Sequence, residues 1–313
     1  MSSARVPDDV VLPEPTVEEV SEGVFGYVQL DGSWGLNNTG FVVGEAAVVA
    51  VDTCATERRS RGFAEAIGRT SGSKPVRTLV NTHHHGDHTH GNMVFAPGAT
   101  IIGQERCREE VIAAGLGMTA MWPGVEWGEI VVTPPDTTFV DRMTVWVDDL
   151  ELQLIFVGPA HTTNDVIVWL PERKVLFAGD VIFNGGAPFA LMGSIAGWLE
   201  ALDVVRGLGL ERMVPGHGPV CGPEAIEAVD EYLRFVQEAA KRGFEAGASP
   251  LEVAQETDLG KFGELLDGER LAGNLHRAYS ELKGEERGAA IDTQAAIGDM
   301  VTLNGGQMLR CLA

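Results

Sequence analysis

One short segment of the sequence holds most of its metal-binding side chains. Five of the eight histidines fall between His83 and His90, and Asp87 stands among them. Imidazole and carboxylate groups are ligands for Zn, Fe and Mn ions. The segment directly follows an apolar, strand-like run at 78–80, so its imidazoles can converge at the mouth of a sheet without being buried unpaired. The spacing His-x-His-x-Asp-His alternates groups toward two neighbouring sites, which favours a metal centre over a polar turn.

Three later segments each add one more candidate metal ligand, and each lies at the end of a strand-like run. Val157–Thr162 contains His161, Phe177–Asp180 ends on a carboxylate, and Val214–Pro219 contains His217. A single histidine in a loop is usually a solvated side chain. Four such elements in sequence, each at a strand end, together indicate a metal centre assembled from several strands.

The elements that must position these segments can be read from hydrophobic periodicity. Short β-rich runs alternate with helix-period segments from Gly23 onward, which favours an α/β architecture. The predicted strands are Phe25–Leu30, Gly40–Val43, Ala47–Asp52, Val76–Asn81, Leu152–Val157, Val166–Leu170 and Lys174–Ala178, and the predicted helices are 56–68, 104–115 and 194–208. The sections 76–92 and 152–180 run in the same order, strand then histidine-bearing loop, which indicates two related halves.

The pattern changes to helical spacing after Gly222. Ser249–Glu252 forms a capping box with proline at the first helical position, and Asp267-Gly268 is expected to close that helix. We therefore predict a polar lead-in over residues 1–20, a main domain over 21–222, and a helical extension over 223–313 that packs on the main domain.

Composition excludes several classes of partner. The formal net charge is −22, so nucleic acid and anionic membrane surfaces would repel the chain. The first 20 residues lack the basic start and apolar run of a signal peptide, and no apolar stretch reaches membrane length. The four cysteines are scattered and indicate no disulfide framework. We expect a soluble, cytoplasmic protein.

The histidine segment and the three later motifs resemble the metallo-β-lactamase superfamily over about residues 20–222. The resemblance implies a four-layer αββα sandwich with a dinuclear site at one sheet edge. It implies that His83, His85 and His161 hold one metal, that Asp87, His88 and His217 hold the other, and that Asp180 bridges both. Two divalent ions are expected, with Zn²⁺ as first choice and Fe or Mn as alternatives.

Further roles are carried over from the same resemblance. Asp52 matches an early aspartate that braces the histidine loop, and Asp87 is the expected catalytic carboxylate, able to pass on a proton. His84 is expected to be exposed, and His90 to pack or to support the ligands. The commonest zinc β-lactamases carry a cysteine ligand where this chain has Asp180, so antibiotic hydrolysis is not expected. The full ligand set also argues against the single iron of persulfide dioxygenases.

A closer resemblance, to the actinorhodin-type second-ring cyclase/thioesterases of aromatic polyketide pathways, covers nearly the whole chain. The segments that carry it are 116–123, 127–130, 188–194, 274–278 and 304–307. The side chains that we expect to contact substrate are Trp34, Trp122, Trp127, Phe189, Met192 and His276. The alternative is that these residues only pack the core, because large aromatic side chains dominate cores.

Three functions remain open at this stage. The first is a dinuclear metal-dependent hydrolase that attacks a thioester, ester or related activated aromatic substrate through a metal-bound hydroxide. The second is an aromatic polyketide cyclase/thioesterase that catalyses aldol ring closure. The third is a subunit of a hetero-oligomeric metallohydrolase. A small aromatic molecule is the expected partner in each case, with homo- or hetero-oligomers both admissible.

Overall fold

Two β-sheets form the centre of the structure, a computed structural model that describes residues 12–313. The first sheet contains β1 (Thr16–Ser21), β2 (Val24–Val28), β3 (Thr39–Val43), β4 (Val48–Val51), β5 (Val76–Val80), β6 (Thr100–Gln104) and β7 (Thr137–Phe139), side by side in chain order. The strands pair antiparallel from β1 to β4 and parallel from β4 to β7. Parallel pairing brings the carboxyl ends of β4, β5 and β6 to one edge of the sheet.

The second sheet has the spatial order β12, β11, β10, β9, β8. Its strands are β8 (Arg142–Val147), β9 (Leu150–Phe156), β10 (Val166–Leu170), β11 (Val175–Phe183) and β12 (Arg212–His217). The pairs from β8 to β11 are antiparallel, and β11 and β12 are parallel. Every residue of β10 and β11 is buried, as expected for apolar strands that are covered on both faces.

Helices cover the outer faces of the two sheets. Before the second sheet begins, the chain forms α1 (Glu57–Ser71), α2 (Gly86–Thr89), α3 (Asn92–Phe95), α4 (Glu105–Ala114) and α5 (Gly117–Met121). Later it forms α6 (Ile195–Gly207), α7 (Glu224–Ala246), α8 (Pro250–Glu256), a 3-10 turn (Gly260–Glu264), α9 (Arg270–Leu282) and α10 (Thr293–Leu303). The Thr56 side chain accepts a hydrogen bond from the Arg59 backbone, and Gly72 ends α1 in the left-handed region, so sequence-local caps set its length.

Three apolar cores separate these layers. One lies between the sheets and joins Val49 and Val80 of the first to Leu154 and Val168 of the second. Another joins Phe63 of α1 to the outer side of the first sheet. The largest joins β11 to α6, α7, α9 and α10. The predicted fold class, a four-layer αββα sandwich followed by C-terminal helices, is confirmed.

The helical segment after residue 222 packs on the second sheet, with α7 in contact with β11, α6 and α9. The helix that begins at the Ser249 capping box is shorter than predicted. It ends at Glu256, because Thr257 adopts an extended conformation and a 3-10 turn follows. No helix among residues 12–313 combines the length and the apolar character needed to cross a membrane.

The first sheet begins earlier than the sequence indicates, because β1 lies within the predicted lead-in and pairs with β2. Residues 1–11 of that lead-in lie outside the described residues. The strands β6, β7, β8 and β12 were also not predicted. Strand β12 contains Pro215 and Gly216, which disfavour a strand in general but are tolerated at the edge of a sheet, where β12 lies.

Candidate metal centre and adjoining cavity

The strand ends bring the histidine segment and the later motifs to one place. The chain leaves β5 at Val80 and places His83 and His85 in the following loop, while the short helix α2 presents Asp87 and His88. His161 lies in the turn between β9 and β10. Asp180 lies within β11 and His217 ends β12, and these strands are parallel neighbours. The cluster therefore draws its side chains from both sheets.

Two groups of side chains in the described part of the chain have the arrangement of metal ligands. One consists of His83, His85, His161 and Asp180, and the other of Asp87, His88 and His217, with the donor atoms of each group within 4.8 Å of one another. All of these residues except His85 are buried. The structure thus brings together every residue to which the sequence analysis assigned a metal.

The Asp180 carboxylate lies between the two groups. Its Oδ2 is 3.2 Å from Nε2 of His161 in the first group and 3.4 Å from Nε2 of His217 in the second. Its Oδ1 is 3.1 Å from Nε2 of His88. Space for this carboxylate depends on Gly216, where an added Cβ would lie 1.9 Å from Oδ1. The Asp180 carboxylate is therefore the group that joins the two sets of side chains.

The donor atoms fit divalent cations because several of them have no other partner. Within residues 12–313, Nε2 of His83, Nε2 of His88 and Oδ1 of Asp180 are buried and lack a hydrogen bond. A buried polar atom without a partner costs about 1–3 kcal/mol. Converging lone pairs on imidazole and carboxylate groups suit Zn²⁺ and similar ions, which would remove this cost.

Hydrogen bonds to the opposite ring nitrogen fix three of these imidazoles. Nδ1 of His88 contacts Oδ2 of Asp52 at 2.9 Å, Nδ1 of His161 contacts the Phe189 carbonyl at 2.5 Å, and Nδ1 of His217 contacts the Gly32 carbonyl at 3.0 Å. Each contact assigns a proton to Nδ1 and turns Nε2 toward the other candidate ligands, where it is the nitrogen that would bind a cation.

Burial sets the protonation of the first group. It lowers the pKa of His83 and His85 well below the usual range for imidazole, and lowers the pKa of His161 to about 4. These imidazoles are neutral, which is the form that binds metals. In the second group burial acts in the same direction on His217, but the carboxylates of Asp180 and Asp87 outweigh it and raise that pKa to about 9. A bound cation would compete with that proton.

Asp52 lies where a brace for the histidine loop would have to lie. Besides His88, its carboxylate accepts hydrogen bonds from the Thr82 backbone and the Thr82 hydroxyl, both at 2.7 Å. Asp165, which was not predicted, plays a similar part for the turn that carries His161. It accepts hydrogen bonds from the backbone of Ala160 at 3.0 Å and of Thr162 at 2.9 Å.

The expectation of an exposed His84 is wrong. The side chain is buried, and its Nδ1 lies 3.0 Å from the Asn164 amide and 3.3 Å from the Glu110 carboxylate. Helix α4 and the turn after β9 cover the position, and no local pattern in the sequence reveals that contact. His90 is buried, contacts the Ala55 carbonyl at 3.2 Å and packs on a tryptophan ring.

A largely apolar cavity of about 320 Å³ opens beside the metal ligands. Its floor includes His85, Asp87, His161, Asp180 and His217, and its walls include Trp34, Trp122, Phe189, Met192, Thr293, Ile297, Met300 and Leu309. The ring of Trp34 lies 5.7 Å from that of Trp122 and 5.0 Å from that of Phe189. Helix α10 and the tail that follows it therefore complete the wall, and Trp122 Nε1 donates to the Leu309 carbonyl at 2.7 Å.

Two of the predicted substrate contacts do not line this cavity. Trp127 packs on His90 and donates from Nε1 to the Trp122 carbonyl at 3.1 Å. Nε2 of His276 contacts Asp299 at 2.7 Å, which links α9 to α10. In contrast, Arg270 lines the cavity and was not predicted, since a single arginine at the start of a helix carries no distinctive sequence signal.

Comparisons with known proteins agree with this geometry. A family model described as the metallo-beta-lactamase superfamily matches residues 32–217. The chain is similar to the alpha subunit of 2,4-dinitroanisole O-demethylase from Nocardioides sp., with 30% identity over 192 residues that cover 58% of this chain and 53% of the subunit. It is similar to the beta subunit of the same enzyme, with 29% identity over 78% of this chain and 72% of that subunit. The chain thus spans about half the length of the alpha subunit.

Solved structures are similar in fold. A metallo-beta-lactamase from Pontibacter korlensis superposes with a TM-score of 0.58 at 20% identity and covers 70% of this chain and 99% of its own. At this identity the likeness concerns the fold alone. The part of the chain that the family model leaves unmatched at its C-terminal side contains α7 to α10.

Proposed function

The chain belongs to the metallo-beta-lactamase superfamily of metal-dependent hydrolases, and from this premise we propose that it is a dinuclear hydrolase of an activated aromatic ester, thioester or related compound. The observation that carries this proposal is the contact between the aromatic cavity and the ligand cluster. A substrate held by the cavity wall would present its reacting carbon to the carboxylates and imidazoles of the floor.

Seven residues would hold the two ions. We assign His83, His85 and His161 to one ion, Asp87, His88 and His217 to the other, and Asp180 to both, because its oxygens lie within 3.4 Å of histidines from each group. When bound, two such ions supply Lewis acidity and lower the pKa of a water molecule toward neutrality.

Asp87 is the residue to which we assign the proton transfer. It lines the cavity, and its Oδ2 lies 3.3 Å from Nε2 of His217. The neighbouring imidazoles of His88 and His217 hold its pKa below the usual carboxylate range, against the opposing effect of burial. The group is therefore ionised and able to accept a proton at Oδ2 from a water molecule that attacks the substrate.

Besides holding the ions, the chain positions the substrate and excludes water from the site. The aromatic rings of Trp34, Trp122 and Phe189 form one side of the cavity, and offset or edge-on ring pairs add about 0.5–1.5 kcal/mol beyond the burial of apolar area. A planar substrate that stacks there displaces water from the site. Electrostatic interactions with the developing negative charge then act in a medium of lower dielectric constant.

The names of the two Nocardioides relatives support the aromatic character of the substrate, since both refer to a dinitroanisole. The match to the alpha subunit leaves nearly half of that subunit uncovered. We therefore propose the chemical class, an activated aromatic compound, and not that particular substrate.

A substrate panel tests the proposal. A benzoyl and an acetyl ester with the same phenol leaving group, a benzoyl and an acetyl thioester with the same thiol leaving group, and activated aryl methyl ethers would be assayed on protein of measured metal content. We expect turnover that depends on metal and a higher kcat/KM for the benzoyl than for the acetyl member of each pair. The Asp180→Asn variant is the matched control and should be inactive on all of them. Hydrolysis without metal, or equal kcat/KM for both members, would count against the proposal.

The same panel separates the cyclase alternative. Ring closure of a poly-β-keto thioester, with no hydrolysis of the simple esters and thioesters, would favour an aromatic polyketide cyclase/thioesterase. The cavity would serve either reaction, because both use a planar aromatic or pre-aromatic substrate. Hydrolysis of simple aromatic substrates without ring closure would favour the hydrolase.

We also propose that the protein assembles with a second related chain. The support is that this chain is similar to relatives named as alpha and beta subunits of one enzyme. Native mass measurement of the purified chain, alone and after co-expression with any similar chain encoded nearby, tests this. A monomer that reaches full activity alone would contradict it.

A further inference from the structure

A buried guanidinium lies in the wall of the cavity. Arg270 is the first residue of α9 and is only 2% exposed, yet its side chain lines the cavity. Of the described residues that form the lining, it is the only arginine or lysine. Burying a cation is costly unless it is paired and hydrogen-bonded, so its presence in an otherwise apolar wall requires an explanation.

Aromatic rings and one carboxylate surround this guanidinium. Its central carbon lies 4.1 Å from the centre of the Trp34 ring, 5.2 Å from that of Phe183 and 6.0 Å from that of Phe189. One terminal nitrogen donates to the Ala187 carbonyl at 2.9 Å, and the other lies 2.8 Å from Oδ2 of Asp267. The rings hold the planar group in one orientation.

These contacts leave hydrogen-bonding capacity unused. A guanidinium has five N–H donors, and in the described part of the chain Nε of Arg270 is buried without a hydrogen-bond partner. The same holds for Oδ2 of Asp267, because the short ion pair lacks the geometry of a hydrogen bond. The pair therefore balances charge but leaves Nε of Arg270 without an acceptor.

The placement of Arg270 is unfavourable for helix stability. The amino end of a helix carries partial positive charge, so a cation in the first turn is repelled by the helix dipole. The guanidinium itself contributes positive potential to the cavity that it lines. Asp267 offsets the formal charge of the guanidinium, and the carboxylates of Asp87 and Asp180 would be balanced by the cations that they hold when these are bound. This balance suits an oxygen atom with partial negative charge better than a full anion.

We infer that Arg270 is a substrate-binding residue that donates a hydrogen bond to an uncharged oxygen acceptor, such as a nitro or carbonyl oxygen, on the ring of the aromatic substrate. The inference rests on the proposed function, since it takes the cavity to be the substrate site. It narrows the substrate class from aromatic compounds to those that carry such an acceptor away from the bond that is broken.

Equilibrium binding of two inert probes tests this inference on the full chain with its metals. The probes are 4-nitrobenzyl alcohol and 4-isopropylbenzyl alcohol, which have similar shapes and no hydrolysable bond. The readout is the ratio of the isopropyl to the nitro dissociation constant, measured by calorimetry. Comparing this ratio between proteins cancels the different hydrophobicity of the probes.

We expect the ratio to fall about tenfold in the double variant Arg270→Met/Asp267→Asn, as for the loss of a hydrogen bond to a charged donor. Replacing both partners avoids leaving the Asp267 carboxylate buried alone. Arg270→Lys provides a second variant that keeps the charge but lacks the planar fork, and it should lower the ratio in the same direction.

Arg277→Met is the matched control. Arg277 lies on the same helix and is 1% exposed, but it donates to the Leu191 and Ala289 carbonyls and does not line the cavity. Its replacement should leave the ratio unchanged. An unchanged ratio in both Arg270 variants would overturn the inference while leaving the hydrolase proposal intact. Failure of either probe to bind wild-type protein would overturn it together with the aromatic substrate site.

Discussion

The ligand cluster and the cavity wall differ in where their residues lie along the chain. The cluster comes from the ends of core strands within the segment that the family model matches, residues 32–217. The wall combines residues of the same segment, Trp34, Trp122 and Phe189 among them, with residues from α9, α10 and the tail at Leu309. The cluster is polar and held by hydrogen bonds to fixed acceptors, whereas the wall is apolar and held by packing. The comparison teaches that the matched segment holds the whole ligand cluster, whereas the cavity wall is completed only by helices that follow that segment.

The largest effect is expected at the centre of the cluster. Asp180→Asn removes a negative charge that lies between two groups of ligands. Replacing a residue that only hydrogen-bonds to a metal ligand typically costs about 10–100-fold, and we expect kcat/KM to fall by more than this. We also expect the variant to lose at least one of the two metals per chain. Elemental analysis and steady-state kinetics measure both. Near-normal turnover with both metals retained would show that Asp180 is not a bridge.

A smaller effect, on metal affinity, is expected at Asp52, which contacts a candidate ligand and not the metal itself. Asp52→Asn weakens the contact that orients His88, and such outer partners typically contribute about 10–100-fold to metal affinity. The metal held by Asp87, His88 and His217 should be lost first during titration with a chelator. Asp203→Asn, on the exposed surface of α6, is the control and should retain wild-type affinity. Equal metal affinity in the Asp52→Asn and Asp203→Asn variants would show that Asp52 does not support the metal site.

A substitution in the cavity wall should change KM for large aromatic substrates more than KM for small ones. Trp34→Ala removes a ring that pairs with Trp122 and Phe189, and we expect KM for a large aromatic substrate to rise about 2- to 12-fold. A small activated ester should be spared, because the lost binding is remote from the reacting carbon. Trp127→Ala is the matched control, since Trp127 is a partly buried tryptophan outside the lining. It should lower the melting temperature and affect both substrates alike.

The smallest effect is expected for a substitution that lowers stability and leaves activity unchanged. Ser249 caps α8 through a capping box with Glu252, and no residue of α8 lines the cavity. Ser249→Ala should lower the free energy of unfolding by about 1 kcal/mol and leave kcat/KM unchanged. Ser249→Thr keeps the hydroxyl and should show most of the wild-type stability. Urea unfolding provides the measurement, and a change in kcat/KM would show that α8 and the site are coupled.

The sequence predicted the cluster better than the wall for a physical reason. Metal ligands have few possible side chains and lie close together along the chain, as His83, His85, Asp87 and His88 do. Their types and spacing carry the information before any folding is known. The apolar rings of Trp34 and Trp122 fit a core as well as a cavity, and only the packing of α10 and the tail distinguishes the two.

Single residues whose roles depend on tertiary contacts cannot be identified from a pattern in the sequence. Glu110, Asn164 and Arg270 are ordinary polar residues in helices or turns, and their roles depend on what other elements bring beside them. The length of β11 was underestimated for a related reason. Its residues Gly179 and Asp180 interrupt the apolar pattern, yet the strand continues to Phe183 through an irregularity in its register with β12.

The hydrogen bond from Trp122 to the Leu309 carbonyl has a consequence for the order of events during synthesis. The last of the proposed metal ligands, His217, leaves the ribosome about 90 residues before Leu309 does. At about 5–20 residues per second, that interval lasts roughly 5–20 s. During this time the nascent chain carries all seven ligand side chains while the wall that narrows access to them is incomplete. We therefore expect a metal ion to reach the cluster by a wider path in the nascent chain than in the finished protein.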